Sequence, residues 1–261
     1  MRVFAIGDPH LSFHRPKPMH IFGEHWRDHA AKIAAAWNDL AAGANGDPNA
    51  DVLILAGDIS WAMKPDEAAP DLHWIAALRG RKILIRGNHD FWWHSLAKVR
   101  AVAGPTVEPL QANCVILNRI AFVGTRGWQC PGTEPSSDAF ERAEAAQGGR
   151  AKPAREYTAQ DYKLYQREVG RLRLGLEQAQ RRRADYDRLV VVLHYPPVNS
   201  QHEPSEFTRL LEAYRADWCV YGHLHGDAIA FGFNGVIGPT RYRLVSADSV
   251  QFSPFHLDLH V

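Results

Sequence analysis

The sequence predicts an α/β domain, and three observations carry that reading. Short, unbroken apolar runs recur along the chain, as in Val52 to Ala56 and Leu189 to Leu193. Stretches with apolar residues at helical spacing separate them. The runs end abruptly at glycine, proline, histidine or an acid, where a strand passes into a loop. Continuous apolar strands imply a sheet covered on both faces.

Val3 to Ile6 is the first run, ending in Gly7-Asp8-Pro9-His10. From Trp26 to Ala41, apolar residues at Ala30, Ile33, Ala34, Trp37 and Leu40 give an amphipathic helix, broken by Asn45-Gly46-Asp47-Pro48. Val52 to Ala56 ends in Gly57-Asp58, and a helix follows over Pro70 to Leu78. Lys82 to Ile85 ends in Arg86-Gly87-Asn88-His89-Asp90. Ser95 to Ala103 reads as a helix, and Val115 to Leu117 with Ile120 to Val123 as a strand pair.

Gly124 to Tyr157 is rich in Gly, Pro, Ser and charge. A segment of that length without periodicity marks a lid or an insertion. Thr158, with Asp161 three residues on, caps a long helix whose seam is Tyr162, Tyr165, Val169, Leu172, Leu176 and Ala179. Leu189 to Leu193 ends at His194-Tyr195-Pro196-Pro197. A helix carries Phe207, Leu210, Leu211 and Tyr214. Cys219 to Tyr221 ends in Gly222-His223-Leu224-His225. From Ile229 to Val261 the tail reads as strands with turns at Asn234-Gly235 and Gly238-Pro239. Without a repeat or linker, residues 1–261 form one domain, with the lid or insertion at 124–157.

The totals exclude several classes. With 30 basic and 29 acidic residues, no bulk field attracts nucleic acid. The three cysteines, Cys114, Cys130 and Cys219, form no Cys-x-x-Cys pair, so neither a disulfide framework nor a thiolate zinc site is expected. A reducing compartment, the cytoplasm, fits. The N-terminus does not read as a signal peptide, and no run is long enough to anchor the chain in a membrane.

Five runs end in residues that bind metals or move protons: Asp8 and His10; Asp58; Asn88, His89 and Asp90; His194; His223 and His225. In α/β sheets, ligands gather at the carboxyl ends of strands. Asp8 and His10 are two apart, as are His223 and His225, which in extended backbone puts each pair on one side. Four imidazoles, two carboxylates and an amide oxygen suit manganese, iron or zinc rather than calcium. Asp58 has two oxygens with which to bridge a pair of ions. Two divalent cations, two carboxylates and a bridging hydroxide leave a charge of about +1, which attracts a phosphate and matches its transition state.

In these residues the chain resembles the calcineurin-like metallophosphoesterase superfamily. The matches are Asp8-Pro9-His10, Gly57-Asp58, Gly87-Asn88-His89-Asp90, His194 and Gly222-His223-Leu224-His225, in the family's order. The resemblance implies a two-sheet β-sandwich flanked by helices, an α/β/β/α arrangement. It implies two divalent metal ions: Asp8, His10, Asp58 and His225 on one, and Asp58, Asn88, His194 and His223 on the other. It implies that His89 contacts the phosphate and protonates the leaving group while Asp90 orients its ring. The activity implied is hydrolysis of a phosphomonoester or phosphodiester in a small phosphorylated substrate. The nucleophile would be a hydroxide bridging the two metals. Trp61 stands where the family often has Asp or Gly, and the arginine-rich signature of the protein phosphatase branch is absent.

The competing readings are a non-catalytic metal-binding or protein-interaction module on the same fold, which would shed metal ligands, and a nuclease of the superfamily, which would need a basic groove. Trp61, Trp92, Trp93 and Trp128 are candidates for an aromatic wall, although core packing is the commoner use of tryptophan. His14, His20, His25 and His29 read as surface or rim residues. Arg126 is a candidate phosphate contact, and Arg181 to Arg183 a solvated helix end.

Overall fold

The computed structural model describes residues 1–42, 51–133 and 156–259. The chain runs β1 (Val3–Ile6), α1 (His29–Ala42), β2 (Val52–Leu55), α2 (Pro65–Ala77), β3 (Arg81–Ile85), α3 (Leu96–Ala103), β4 (Val107–Leu110), β5 (Cys114–Leu117) and β6 (Ile120–Thr125). Next come α4 (Ala159–Arg181), β7 (Arg188–Leu193), α5 (Glu206–Ala213), β8 (Trp218–Tyr221), β9 (Gly235–Ile237), β10 (Thr240–Leu244) and β11 (Phe255–Leu257).

Two mixed sheets result, ordered β11-β1-β2-β3-β4 and β5-β6-β7-β8-β10-β9. β1 to β4 are mutually parallel, as are β6, β7, β8 and β10. The antiparallel members β5, β9 and β11 lie at sheet edges. Pro109, which has no N–H to give a ladder, sits in the edge strand β4.

Alternation along the strands builds the layers. Val3, Ala5, Ile54, Ile83 and Ile85 from one sheet meet Phe122, Val190, Val192 and Val220 from the other, in a core between the sheets. The intervening residues Phe4, Ile6, Leu53, Leu55 and Leu84 face α1, α2 and α3, where Ile33, Trp37, Leu72, Ile75 and Val99 cover them. On the opposite side Val123, Val191, Leu193 and Cys219 are covered by Tyr165, Leu172 and Leu176 of α4 and by Phe207 and Leu211 of α5. This is the helix-flanked sandwich expected, and it explains why the strands read as unbroken apolar runs: both faces of each are buried.

Several local expectations shift. Trp26 belongs to a short 3-10 turn before α1, and α2 begins at Pro65, with proline in the first turn where its missing N–H costs nothing. The Thr158–Asp161 capping box forms as expected, but Tyr162 is 50% exposed and lies outside the α4 seam. Ile229 lies in a 3-10 turn, Gly226–Phe231. Asn234 does not turn the chain: its Oδ1 accepts Leu244 N at 2.8 Å, and the reversal comes at Gly238-Pro239. Gly124 and Thr125 complete β6, whereas residues 134–155, most of the segment read as a lid or insertion, lie outside the described residues. Among the described residues no helix is long and apolar enough to cross a membrane.

The two sheets join at one edge, where Gly7 N donates to Val245 O at 2.6 Å. The loops leaving β1 and β2 run side by side there, with Asp8 N on Gly57 O (2.9 Å) and His10 N on Asp58 O (3.0 Å). All five strand ends singled out in the sequence open onto this edge.

Candidate metal centre

Asp8, His10, Asp58, Asn88, His89, Asp90, His194, His223 and His225 come together, six from the first sheet and three from the second. Extended backbone is not what aims them. Asp8, His10, Asp58 and His223 have positive φ (56°, 44°, 49° and 77°). Left-handed backbone is uncommon outside glycine and favours Asp, Asn and His among the rest. It turns the chain sharply where the sheet ends and directs each side chain into the crevice between the sheets. Strain of this kind concentrates at functional sites.

Two motif glycines have a packing reason. A Cβ on Gly87 would stand 2.0 Å from Asp58 Oδ1, and one on Gly222 2.3 Å from Asp8 Oδ2. Each carboxylate therefore lies flat against a glycine from another strand end, and no other residue fits there.

Asn88 and Asp58 are the centre of the arrangement. Asn88 Oδ1 lies 2.6 Å from His194 Nε2 and 3.0 Å from His223 Nδ1. Asp58 Oδ1 faces His194 Nε2 at 3.6 Å, while its Oδ2 faces His10 at 3.8 Å and His89 at 3.9 Å. Asp8 Oδ1 faces His194 Nδ1 at 3.7 Å and His225 Nε2 at 3.5 Å. Two groups of donors are spaced to hold a cation: Asp8, His10 and His225, and Asp8, Asp58 and His194.

The donor chemistry fits a metal. Asp8 and Asp58 are buried, and each accepts one backbone N–H, from His223 and His89 respectively. Buried carboxylates that close together call for positive charge. His194 donates its Nδ1 proton to Ala56 O at 3.0 Å, which leaves the Nε2 lone pair facing the Asn88 carbonyl oxygen. Two acceptors that close are stable only with a cation or a proton between them. Burial, and then the neighbouring His225 and His89, hold His10 well below the ordinary imidazole range, while burial and His194 do the same to His223. Neutral imidazole is the form that ligates. At His225 burial pulls downward, but Asp8 and Asp248 push the pKa up to about 10.

Asp248, not a candidate in the sequence, joins the cluster. Its Oδ1 pairs with His225 Nδ1 at 2.9 Å and its Oδ2 accepts Gly226 N at 3.0 Å. A carboxylate behind a ligating imidazole fixes the tautomer and the ring plane. The signal was faint: another apolar pair, Leu244-Val245, running into Ser246-Ala247-Asp248.

Asp90 has a different place from the one expected. Its hydrogen bonds go not to the His89 ring but to Ile59 N, Ser60 N, Trp92 Nε1 and Gly87 N, at 2.7–3.0 Å. With four N–H groups converging on two oxygens, it ties the loop after β2 to the loop after β3 and holds Asn88 and His89 in position. Burial, and then the charge of Asp58, push its pKa up, against the pull of those four donors.

The tryptophans divide. Trp92 and Trp93 are buried in the helical side of the core. Trp61 stacks on His10, with ring centroids 4.7 Å apart and 19° from parallel, and lies 4.6 Å from the His89 ring. Trp128 packs on Tyr195 beneath Arg126, and Tyr195 in turn packs on His223. Arg126 stands 4.0 Å from the buried Glu168 and is only 15% exposed. His14, His20 and His25 are exposed and His29 is half-buried, and Arg181 to Arg183 lie in solvent at the end of α4.

A family model described as calcineurin-like phosphoesterase matches residues 1–227. Among solved structures, TT1561 of Thermus thermophilus is similar at 14% identity and a TM-score of 0.49, over 85% of this chain and 80% of that one. AQ665 from Aquifex aeolicus, a protein of unknown function, is 13% identical with a TM-score of 0.42, over 98% and 95%. A third structure, 12% identical over 92% and 88% of the two chains, has a TM-score of 0.50, a likeness of fold alone. No curated protein matches the chain significantly.

Proposed function

Since the chain belongs to the calcineurin-like phosphoesterase family, we propose that it hydrolyses a phosphomonoester or phosphodiester with two divalent cations, manganese, iron or zinc, held at this edge of the sandwich. One observation supports the reading above the others: three strand ends converge on a single oxygen, with His194 Nε2 at 2.6 Å and His223 Nδ1 at 3.0 Å from Asn88 Oδ1.

In this proposal Asp8, His10, Asp58 and His225 would hold one cation, and Asp58, Asn88, His194 and His223 the other. Asp58 would serve both, since one of its oxygens faces His194 and the other His10. When bound, the cations would supply Lewis acidity and lower the pKa of water at the site. His89 gives the leaving oxygen its proton. Its ring is partly open to solvent, its Nε2 lies 3.9 Å from Asp58 Oδ2, and its backbone N–H is fixed on Asp58 Oδ1 at 2.8 Å. Asp90 is a positioning residue that acts through the loop carrying Asn88 and His89. Asp248 holds the His225 ring in the plane that offers Nε2.

Displacement is direct, with inversion at phosphorus and no phosphoenzyme. The cysteines are poor alternative nucleophiles: burial pushes Cys114 up to about 11, Cys130 to about 12 and Cys219 higher still. The test is phosphate or phenol release from an aryl phosphate and from a bis-aryl phosphodiester, after metal stripping and readdition of manganese or zinc. Turnover returns with the metal, alongside bound metal by elemental analysis. Turnover that survives thorough chelation overturns the proposal.

A further inference from the structure

Next to the metal centre, beyond a single indole, lies a second concavity of about 440 Å³. The segment after β1, the loop after β2 and the first turns of α2 enclose it. Trp61 belongs to both places. Its ring packs on those of His10 and His89, while Lys17 Nζ stands 3.2 Å from its centroid. Trp61 Nε1 lies 3.3 Å from Met19 Sδ, which holds the ring plane.

The charges of this concavity are arranged unequally. Its two carboxylates are occupied by hydrogen bonds from nearby backbone and from Ser60. Glu67 Oε2 accepts Met63 N at 3.0 Å and Lys64 N at 3.2 Å, the reach-back contact of a helix cap. Asp71 is buried and accepts Phe13 N at 2.8 Å and the Ser60 hydroxyl. Burial also pushes its pKa up. On the cationic side, Arg15 is exposed and lines the same space as Lys17; among the described residues no carboxylate lies within ion-pair distance of Arg15. Met63, an exposed thioether, and the Trp61 face supply apolar surface beside them.

We propose that this concavity is a leaving-group subsite, and that the substrate is a phosphate ester whose alcohol portion carries a second anion, a phosphate or a carboxylate, gripped by Arg15 and Lys17. The inference rests on the phosphoesterase reading, because His89, the proton donor there, marks the side from which the alcohol departs, and His89 touches Trp61. A flat or apolar framework lies along Trp61 and Met63 and carries the second anion to the guanidinium. An indole's width separates the two places, so the second anion sits on that framework rather than on the reacting phosphorus. Guanidinium offers a fork of donors to either anion.

The experiment compares 4-carboxyphenyl phosphate and 4-(phosphonomethyl)phenyl phosphate with 4-carbamoylphenyl phosphate, whose leaving group carries no second anion, using the metal-loaded full chain. The readout is the ratio of kcat/KM for each ester with the second anion to that for the one without. That ratio falls about tenfold in Arg15→Gln, falls in Lys17→Gln, and shrinks with added salt. Arg183→Gln, at the opposite edge of the sandwich, leaves it as in the wild type. Whether the carboxylate or the phosphonate ester shows the larger fall identifies the anion. A ratio that neither Arg15→Gln nor Lys17→Gln changes overturns the subsite. If no ester is cleaved with any metal, the hydrolytic reading has failed, and the anion pocket is decided by binding alone. Tryptophan fluorescence then follows titration with 4-carboxyphenylphosphonate: weaker binding by Arg15→Gln supports the pocket, and equal affinity in the two proteins overturns it.

Discussion

Buried charge sits at both edges of the sandwich, and the two edges treat it differently. At the edge where β2 and β3 begin, each charge is met by the protein itself. Asp51 accepts the backbone N–H and two guanidinium donors of Arg2, at 2.6–3.2 Å. Lys82 is buried yet gives its ammonium protons to three carbonyls, Ala76 O, Leu78 O and Gly80 O. At the opposite edge Asp8 and Asp58 each accept one backbone N–H and otherwise face imidazoles, with no lysine or arginine among their partners in the described residues. One edge is electrically complete. The other is organised around charge brought from outside, and a site is recognised by that incompleteness more than by any motif.

The sharpest way to break the comparison is Asp58→Asn. It keeps the shape and removes the charge. Turnover falls below detection and bound metal is lost, yet the metal-free protein melts at the same temperature or higher, because Asp58 no longer presses its charge on the buried Asp90. A large fall in metal-free stability would mean that Asp58 is structural. His89→Asn has the next largest effect. Turnover falls by about 10²–10⁴-fold with metal content unchanged, and by less for esters whose leaving group needs no proton. A loss independent of the leaving group would remove His89 from its role as proton donor.

Asp248→Asn is milder. It leaves every proposed ligand in place but loosens the His225 ring, so metal affinity or turnover falls by about 10–100-fold, read by metal titration and kcat. It tests whether the incomplete edge needs its supporting carboxylate or only its ligands.

The order of legibility follows the same contrast. The strand ends could be read from the sequence because an apolar run followed by Gly-Asp or Gly-His is a local pattern. Spacing in extended backbone does not account for how these side chains are aimed: Asp8, His10 and His223 have left-handed backbone, which spacing does not reveal. Two sheets rather than one emerged only through family resemblance, since parallel strands buried on both faces read alike in either case. Asp248 escaped because it serves His225 across 23 residues with no motif of its own. Asp90 escaped in another sense: its neighbour His89 hid its real partners, two of them on the loop after β2 and two on its own loop.

Lys82→Met has the smallest expected effect on turnover and tests the completed edge. Methionine fills similar volume but removes the donor to the buried carbonyls of Leu78 and Gly80 just past α2, a cost of about 1–3 kcal/mol, read by denaturant unfolding, while kcat stays at the wild-type value. The pH dependence has a definite sign. Burial lowers the Lys82 pKa from 10.5 to about 8. Below pH 8 both folded and unfolded chains carry the proton, so the stability gap between wild type and variant is constant. Between pH 8 and 10.5 the unfolded chain holds the proton more tightly than the folded one, so wild-type stability relative to the variant rises with pH. A gap that narrows across that window would mean that the ammonium, with its three carbonyls, is favoured by folding rather than tolerated by it.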